Sequence, residues 1–399
     1  MRAGRRLLVV IYDYPPSPST AAVRWATMTK YLAELGHSVT VVTSDSFGMP
    51  AVADPVHVVR PRSLETSWPL ARPRFNPRSG WAPIALRETR RLLRQGTFDC
   101  LITSSPPESA HLVGLMLGRS RPPWVADFRD GWCFEPYTVR FRTSPQLALD
   151  RWLERKVAQA AEMTVGVTRP IAEDLERRLG ARARWISNGW DPATLDADSD
   201  AASPTPPRDG LKLVYTGRLW GSWGRTPEQL FQAMRDVSAA PDGVRLRLVH
   251  AGVLKPEDRA LIESTGVGEL VEHVGLLDRE KALALQRSAD VLILLTSGHS
   301  SEATGKLYEY LAAGRPILAL AEGNEAERIV RETHTGVAVP PDDVDAIAGA
   351  LRAAERGELA RDYAPWGIER YAYPGLAEEM MEVVEEAIAV RGSSGDPEL

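Results

Sequence analysis

Short apolar runs alternate along this chain with longer amphipathic stretches, and this alternation constrains the fold more than any other feature. The strands predicted in the first half are 7–12, 39–44, 100–104, 124–128, 163–168 and 184–187. The helices predicted between them are 21–35, 108–117, 146–161 and 170–179. The strand runs are apolar throughout, as in strands that are buried on both faces. Separated by helices, such strands form parallel βαβ units, so a doubly wound α/β sheet is predicted.

The alternation stops at residues 196–210, an acidic and Pro-rich stretch that reads as a linker, and then resumes. The second half has predicted strands at 211–216, 244–249, 270–274, 291–295 and 316–320. Its predicted helices are 227–237, 256–264, 279–287, 305–313, 325–333 and 344–354. We therefore expect two Rossmann-like domains, 1–195 and 211–370, facing across a cleft at the carboxyl ends of their strands. A helix at 371–390 is expected to pack back on the first domain, and the tail 391–399 to be disordered.

Composition excludes several classes of protein. The net charge of −5 argues against a broad nucleic-acid surface. Cys100 and Cys133 are too few for a disulfide scaffold or a cysteine zinc site. No apolar run approaches the roughly 20 residues of a membrane span, and the N-terminal run, which imitates a secretory signal, is halted at Asp13. The sequence predicts a cytoplasmic protein.

The segment 304–316, TGKLYEYLAAGRP, carries the most chemical information. It follows the predicted strand 291–295 and opens a helix that ends at Gly314. A helix that begins with a glycine offers free backbone N–H groups and the positive end of its dipole to an anion, and Lys306 adds a cation. Glu309 lies on the same face and could accept hydrogen bonds from two vicinal hydroxyls. An ordinary amphipathic helix with a solvated Lys306 and Glu309 is the alternative.

This segment resembles the donor-site helix of the GT-B glycosyltransferases, family 4, which reads EAMAxGxPVIA. Further segments follow the order of that family: IYDYPPSPST, YLAELGHSVTVVTSD, SSPPESAHL, WVADFRDGW, ISNGWD and YTGRL. The resemblance covers both predicted domains. It implies a retaining, metal-independent transfer of a sugar from a nucleoside diphosphate sugar with no cofactor, and the expected donor nucleotide is UDP or GDP.

The resemblance assigns donor-site residues to the second domain. Glu309 matches the glutamate that holds the nucleotide ribose, and either Ser301 or its neighbour Glu302 stands where the family has a glutamate that contacts the sugar. Arg218 matches the arginine that neutralises the diphosphate. Arg225 is the candidate for the family's second cation, with Lys255 the alternative. Gly305, Lys306 and Leu307 complete the phosphate end, and the loop containing Val274 and Leu276 is expected to hold the base through backbone groups.

The first domain is expected to supply the acceptor site and the catalytic residues that lie beside the donor sugar. Arg129 stands where the family often has a histidine beside the donor sugar, and Asp130 follows it, so Arg129, Asp130 and Arg218 are the predicted catalytic residues. The residues predicted to face the acceptor are Asp13, Tyr14, Arg24, Ser105, Glu108, Asp127 and Asn188. In the alternative interpretation, Asp127 and Arg129 pair with each other and tie two loops together.

Residues 60–81 contain five arginines and three aromatic residues, with Glu65 the one acid. This segment reads as an acceptor-site lid, a patch for anionic lipid headgroups in a peripheral membrane contact, or a long loop without such a role. The Asp-x-Asp spacing of Asp196, Asp198 and Asp200 imitates a metal motif but falls in the linker, so no metal is expected.

We expect a small natural-product acceptor. A lipid-linked or cell-surface glycan is an alternative acceptor, and a nucleotide-sugar 2-epimerase is an alternative activity on the same fold. A periplasmic sugar-binding protein would lack the phosphate-binding set, and a dehydrogenase would need a glycine fingerprint that this chain lacks. The sequence leaves the oligomeric state open.

Overall fold

A computed structural model of the 399-residue chain describes residues 4–48, 56–62, 79–135, 143–194, 210–219, 227–241 and 243–393. The chain divides into two compact units. Unit 1 comprises Met1–Asn188 and Tyr373–Leu399, and unit 2 comprises Gly189–Ala372.

Unit 1 is built on a parallel sheet of seven strands. They are β1 (Arg6–Ile11), β2 (Ser38–Val42), β3 (His57–Val59), β4 (Cys100–Ser105), β5 (Trp124–Phe128), β6 (Met163–Gly166) and β7 (Ala183–Trp185). Their order is β3-β2-β1-β4-β5-β6-β7. The strand order reverses between β1 and β4, which pair directly. Ligands of doubly wound sheets bind at this switch point, beyond the carboxyl ends of the strands.

Helices cover both faces of this sheet. They are α1 (Thr20–Glu34), α2 (Ala82–Gln95), α3 (Ser109–Leu117), α4 (Ser144–Ala160) and α5 (Arg169–Leu179). Leu7, Val9 and Ile11 of β1 point into one apolar cluster, whereas Leu8 and Val10 point into the other. Both faces are therefore buried, as the uninterrupted apolar runs predicted.

Unit 2 repeats the arrangement with a sheet of six strands, of which neighbouring strands are parallel. The strands are β8 (Leu211–Thr216), β9 (Leu246–Ala251), β10 (Val271–Gly275), β11 (Val291–Leu295), β12 (Ile317–Leu320) and β13 (Gly336–Val339), in the order β10-β9-β8-β11-β12-β13. Its helices are α6 (Glu228–Ala239), α7 (Pro256–Thr265), α8 (Arg279–Arg287), α9 (Gly305–Ala313), α10 (Glu325–Glu332), α11 (Val344–Glu355) and α12 (Glu358–Arg361). The switch point lies between β8 and β11.

The last helix, α13 (Tyr373–Ser393), belongs to unit 1. Leu376, Met380 and Val384 are buried in the same apolar cluster as Trp25 and Met28 of α1. Ion pairs reinforce this packing: Arg5 Nε lies 2.7 Å from Glu385 Oε1, Arg184 Nη2 lies 2.6 Å from Glu386 Oε1, and Arg391 Nη1 lies 2.9 Å from Glu162 Oε1. Unit 1 is thus made of two separate stretches of sequence.

The prediction of two doubly wound Rossmann-like domains is confirmed. The division falls after Asn188 rather than at 195, so residues 189–194 belong to unit 2. Strands β3 and β13 and helix α2 were not predicted, because the two strands are short, half-buried runs and α2 carries several arginines. Residues 391–393 are helical rather than disordered.

Several predictions fall on residues outside the described ranges. They concern most of the linker (196–209), most of the Arg-rich segment (63–78) and the end of the tail (394–399). Within the described ranges, no helix is both long enough and apolar enough to cross a membrane.

Candidate active site

The switch point of unit 2 brings together two loops. Gly217 and Arg218 follow β8, and residues 296–304 lead from β11 into α9. Because β8 and β11 are neighbours in the sheet, the start of α9 lies beside the Gly217 turn. A Cβ atom placed at Gly217 would lie 2.6 Å from Lys306 Nζ, and the φ angle of +138° there also favours glycine. The turn and the lysine are therefore in direct contact.

Helix α9 begins without a side-chain cap. Thr304 occupies the cap position with extended backbone angles, yet its hydroxyl makes no capping bond and has no hydrogen-bond partner in the described part of the chain. The Leu307 N–H bonds the Thr304 carbonyl at 3.0 Å, which leaves the Gly305 and Lys306 amides at the helix start. An uncapped N-terminus of this kind suits an anion.

Lys306 and Arg218 are two cations that form no ion pair within the described part of the chain. Lys306 is half-buried, Arg218 is exposed, and among the described residues neither side chain makes a hydrogen bond or an ion pair. Burial lowers the pKa of Lys306, and the Arg218 charge lowers it further, while Glu309 acts in the opposite direction. Two neighbouring cations beside a free helix N-terminus form a site for a multiply charged anion.

Glu309 is engaged with helix α8. Its carboxylate lies 3.2 Å from Arg279 Nη1 and accepts a hydrogen bond from Gln286 Nε2 at 3.3 Å. Gln286 is buried and also donates to Thr216 Oγ1 at 3.0 Å. Glu309 also lines a groove of about 300 Å³ in unit 2, between α8, α9 and residues 190–194. A ribose on Glu309 would thus compete with Arg279.

Hydrogen bonds to Glu302 hold the loop before α9. One carboxylate oxygen, Oε2, accepts hydrogen bonds from the backbone N–H and the hydroxyl of Ser297, the latter at 2.6 Å. Burial raises the pKa of Glu302, and Ser297 acts against it. Ser301, the other candidate, is also buried.

The carboxyl end of β10 and the residue that follows it present apolar side chains to solvent. Leu276 is 80% exposed and Val274 is 39% exposed. Gly275, between them, has a φ angle of +79°. Exposed apolar side chains at a strand's carboxyl end offer a surface for a nucleobase.

In unit 1, a buried network lies at the end of β5. Asp127 accepts from Arg24 Nη2 at 3.2 Å and from Ser104 Oγ at 2.7 Å, and Trp25 Nε1 donates to both Ser104 and Asp127. Arg24 also donates to the carbonyls of Ile186 and Ser187. Arg129 Nε donates to Ser104 Oγ at 3.0 Å, so it joins Asp127 through that hydroxyl.

Asp130 directly follows Arg129 in the chain. It is half-buried, and burial raises its pKa to about 6; the Arg129 charge lowers the pKa and the Glu108 carboxylate raises it. A carboxyl group with this pKa exchanges its proton near neutral pH, as a general base or acid must. Burial also lowers the pKa of Arg129.

Comparison with known proteins identifies the family of the two units. Residues 21–194 match Glycosyltransferase Family 4, and residues 210–355 match Glycosyl transferases group 1. The chain is a glycosyltransferase. Its fold is GT-B: sucrose-phosphate synthase from Thermosynechococcus elongatus superposes with a TM-score of 0.72 over 96% of this chain and 100% of the other, at 20% identity.

Bacterial relatives of this glycosyltransferase have named activities. It is 28% identical over 325 residues to a phosphatidyl-myo-inositol mannosyltransferase of Mycobacterium leprae, covering 78% of this chain and 80% of the relative. It is 25% identical over 341 residues to a 2-deoxystreptamine glucosyltransferase of Streptomyces kanamyceticus, covering 78% and 84%. These acceptors differ widely in chemistry, one being a lipid and the other a small polar molecule.

The structure brings most of the predicted donor residues of the glycosyltransferase to the switch point of unit 2. Arg218, Gly305 and Lys306 adjoin one another. The Leu307 side chain is buried, so only the backbone of this residue could contact a donor. Arg225 lies outside the described ranges. Lys255 caps α7 after β9, where its backbone N–H donates to Asp258.

Six of the seven residues predicted to face the acceptor have buried side chains. Tyr14 lies in an apolar cluster with its hydroxyl 2.7 Å from Thr29 Oγ1. Arg24 and Asp127 are fully buried and pair with each other, so the suggested Asp127–Arg129 pair is replaced by an Arg24–Asp127 pair. Asp13, Ser105 and Asn188 are also buried, and Glu108 is half-buried at the start of α3.

Replacing Arg24 with methionine is expected to destabilise unit 1 by about 3 kcal/mol, because it leaves the Asp127 carboxylate buried without its cation. The double variant Arg24→Met, Asp127→Asn should recover part of that loss, since Trp25 and Ser104 can still bond the amide. Thermal unfolding of the three proteins measures this. Equal melting temperatures for wild type and Arg24→Met would show that the pair contributes nothing.

No sequence motif singles out Ser104, Trp25 or His250 as a functional residue. Ser104 and Trp25 lie within a strand and a helix that read as core. His250 stands near the carboxyl end of the run LRLVHA, and a polar residue at that end of a buried strand was the available signal.

Proposed function

We propose that this glycosyltransferase moves a hexose-like sugar from a nucleoside diphosphate sugar to a small-molecule acceptor, with retention of the anomeric configuration and without a metal. Lys306, Arg218 and the first amides of α9 bind the diphosphate and stabilise the negative charge that develops as it departs. Glu309 exchanges Arg279 for the ribose hydroxyls, and the loop around Leu276 holds the base. Asp130 acts as the base that takes the proton from the acceptor, and Arg129 lies beside it.

The observation that carries this proposal is the unpaired Lys306 ammonium. A half-buried cation costs free energy unless an anion compensates it. Here Glu309 compensates only part of that cost, no described carboxylate forms an ion pair with Lys306, and the nearby Arg218 adds repulsion. A diphosphate bridging Arg218, Lys306 and the α9 amides would remove this cost. The Glu302 carboxylate already accepts hydrogen bonds from Ser297 and from the Gly298 backbone, and a hydroxyl of the sugar would donate a further one to it.

A small polar acceptor fits the likeness to the 2-deoxystreptamine glucosyltransferase. The likeness to the phosphatidyl-myo-inositol mannosyltransferase favours instead a lipid-linked acceptor and a peripheral membrane contact. A 2-epimerase on the same fold would need no acceptor. The three alternatives predict different products from the same nucleotide sugar: a glycosylated small molecule, a glycosylated lipid or an epimerised donor.

Thermal unfolding with UDP, GDP, ADP, TDP or NADH, each with and without EDTA, tests the donor site. One nucleoside diphosphate is expected to raise the melting temperature; at 100 times its Kd the stabilisation is about 2.7 kcal/mol. EDTA should leave the shift unchanged. A shift that EDTA abolishes would contradict metal independence, and a response to NADH alone would contradict the donor site.

Product analysis with the selected donor tests the reaction. The sugar nucleotide is incubated alone, with 2-deoxystreptamine as a representative small aminocyclitol, and with phosphatidylinositol vesicles. Transfer to the aminocyclitol with an unchanged anomeric configuration by NMR supports the proposal. Transfer to the vesicles alone would assign a lipid acceptor, and conversion of the donor to its epimer without acceptor would assign the epimerase.

A further inference from the structure

Three ring side chains form one row across the carboxyl end of the unit 2 sheet. Tyr215 of β8 is in register with His250 of β9, which is in register with His273 of β10. The Tyr215 and His250 rings stack with centroids 5.9 Å apart, and the His250 and His273 rings with centroids 5.0 Å apart. His250 is fully buried, whereas His273 is exposed.

This row holds the turn that carries Arg218. His250 Nε2 lies 2.7 Å from the Gly217 carbonyl, and the Tyr215 hydroxyl donates to the Arg218 carbonyl at 2.6 Å. Two successive carbonyls of one turn are therefore each bonded by a side chain from the row. The opposite side of Gly217 contacts Lys306, so the position of the turn sets the distance between the two cations.

The hydrogen bonds fix which nitrogen of His250 carries the proton. A carbonyl oxygen can only accept, so Nε2 of His250 must donate to Gly217. Nδ1 of the neutral His250 ring is then an acceptor. It lies 3.1 Å from Nδ1 of His273, so the His273 N–H donates this hydrogen bond. Burial lowers the pKa of His250, which keeps its ring neutral at neutral pH.

We propose that His250 is a positioning residue for donor binding: through its Nε2–H bond to the Gly217 carbonyl it holds Arg218 and the Gly217–Lys306 contact in place for the diphosphate. This inference rests on the proposed donor site and adds a residue that does not touch the substrate. Tyr215 supports the same turn through the Arg218 carbonyl. His273 selects the tautomer of His250 that can donate.

Two substitutions at His250 separate the hydrogen bond from the stacked ring. His250→Phe keeps an aromatic ring and removes the donor, while His250→Gln removes the ring and can keep an N–H near the place of Nε2. His250→Phe is expected to raise the KM for the donor about tenfold, which is the cost of losing one hydrogen bond. We expect little change in kcat, because the bond to Gly217 is present in both the ground state and the transition state. His250→Gln should stay within about threefold of wild type.

The double variant with Arg218→Ala tests whether His250 acts through Arg218. His250→Phe should raise the KM of Arg218→Ala by clearly less than the roughly tenfold increase expected in wild type, because only its effect through the Gly217–Lys306 contact is left. If His250→Phe does not fold, Tyr215→Phe provides the test, with an expected KM increase of about threefold and no loss of melting temperature large enough to deplete the folded protein.

The outcomes distinguish this inference from the proposed donor site. A wild-type KM in His250→Phe, alongside a raised KM in Arg218→Ala, would overturn the positioning role and leave the donor site intact. Equal loss in His250→Phe and His250→Gln, or a lower kcat at constant KM, would assign His250 to packing alone. A wild-type KM in Arg218→Ala would overturn the donor site, and this inference with it.

Discussion

Replacing Lys306 with methionine is expected to lower kcat/KM for sugar transfer by about 10²- to 10³-fold, the usual cost of losing one preorganised charge at a departing group. The effect should be large because this ammonium is half-buried beside the uncapped start of α9. Initial rates with the nucleotide sugar selected by thermal unfolding measure it. Lys306→Arg, which keeps a cation, should lose less.

Lys281 offers a matched control in the same unit. It is exposed and pairs with Asp278 at 2.8 Å, so Lys281→Met should leave kcat/KM unchanged. Lys306→Met should also raise the melting temperature at neutral pH. The pKa of Lys306 is lowered in the folded state, so its charged form costs stability at every pH below that pKa, and methionine removes the cost. A lowered melting temperature together with unchanged kinetics would make Lys306 a structural residue.

Replacing Asp130 with asparagine is expected to lower kcat by about 10²- to 10⁴-fold and to remove an acid limb from the pH profile. The wild-type kcat/KM should fall about tenfold per pH unit below pH 6, because the carboxyl is protonated there and cannot act as a base. Glu108→Gln should move this limb to lower pH, since the Glu108 charge raises the pKa of Asp130. Rates between pH 4.5 and 8.5 measure both effects.

The stability of the Asp130→Asn variant gives an independent check. The folded pKa of about 6 lies above the ordinary value of 3.8, so ionised Asp130 costs stability that is absent below pH 3.8 and fully present above pH 6. Allowing for partial exposure, the cost is about 2 kcal/mol at pH 7.5. The variant should therefore unfold at a higher temperature than wild type at pH 7.5, with a smaller difference at pH 5. A wild-type kcat with the acid limb retained would exclude Asp130 as the titrating group.

The sequence was most informative where local chemistry decides the outcome. Uninterrupted apolar runs predicted both sheets, and the order TGKLYEYL placed Gly305 and Lys306 at a helix start. It was least informative where the role of a side chain depends on a partner that is distant in sequence. Arg24 and Asp127 are far apart in sequence, and nothing local shows that they neutralise each other in the interior. Arg279 is likewise a surface arginine in the sequence until the fold brings it to Glu309.

The separation of unit 1 into two stretches of sequence affects how the chain folds as it is made. Once Ala372 has left the ribosome, every residue of unit 2 is available, while unit 1 still lacks α13. Until that helix emerges, the apolar side of the sheet and of α1 that it buries stays uncovered. Domains tend to fold during synthesis as their residues become available, so the inserted unit can finish first and the N-terminal one last. A nascent chain that stalls before α13 would present that apolar surface to chaperones and proteases.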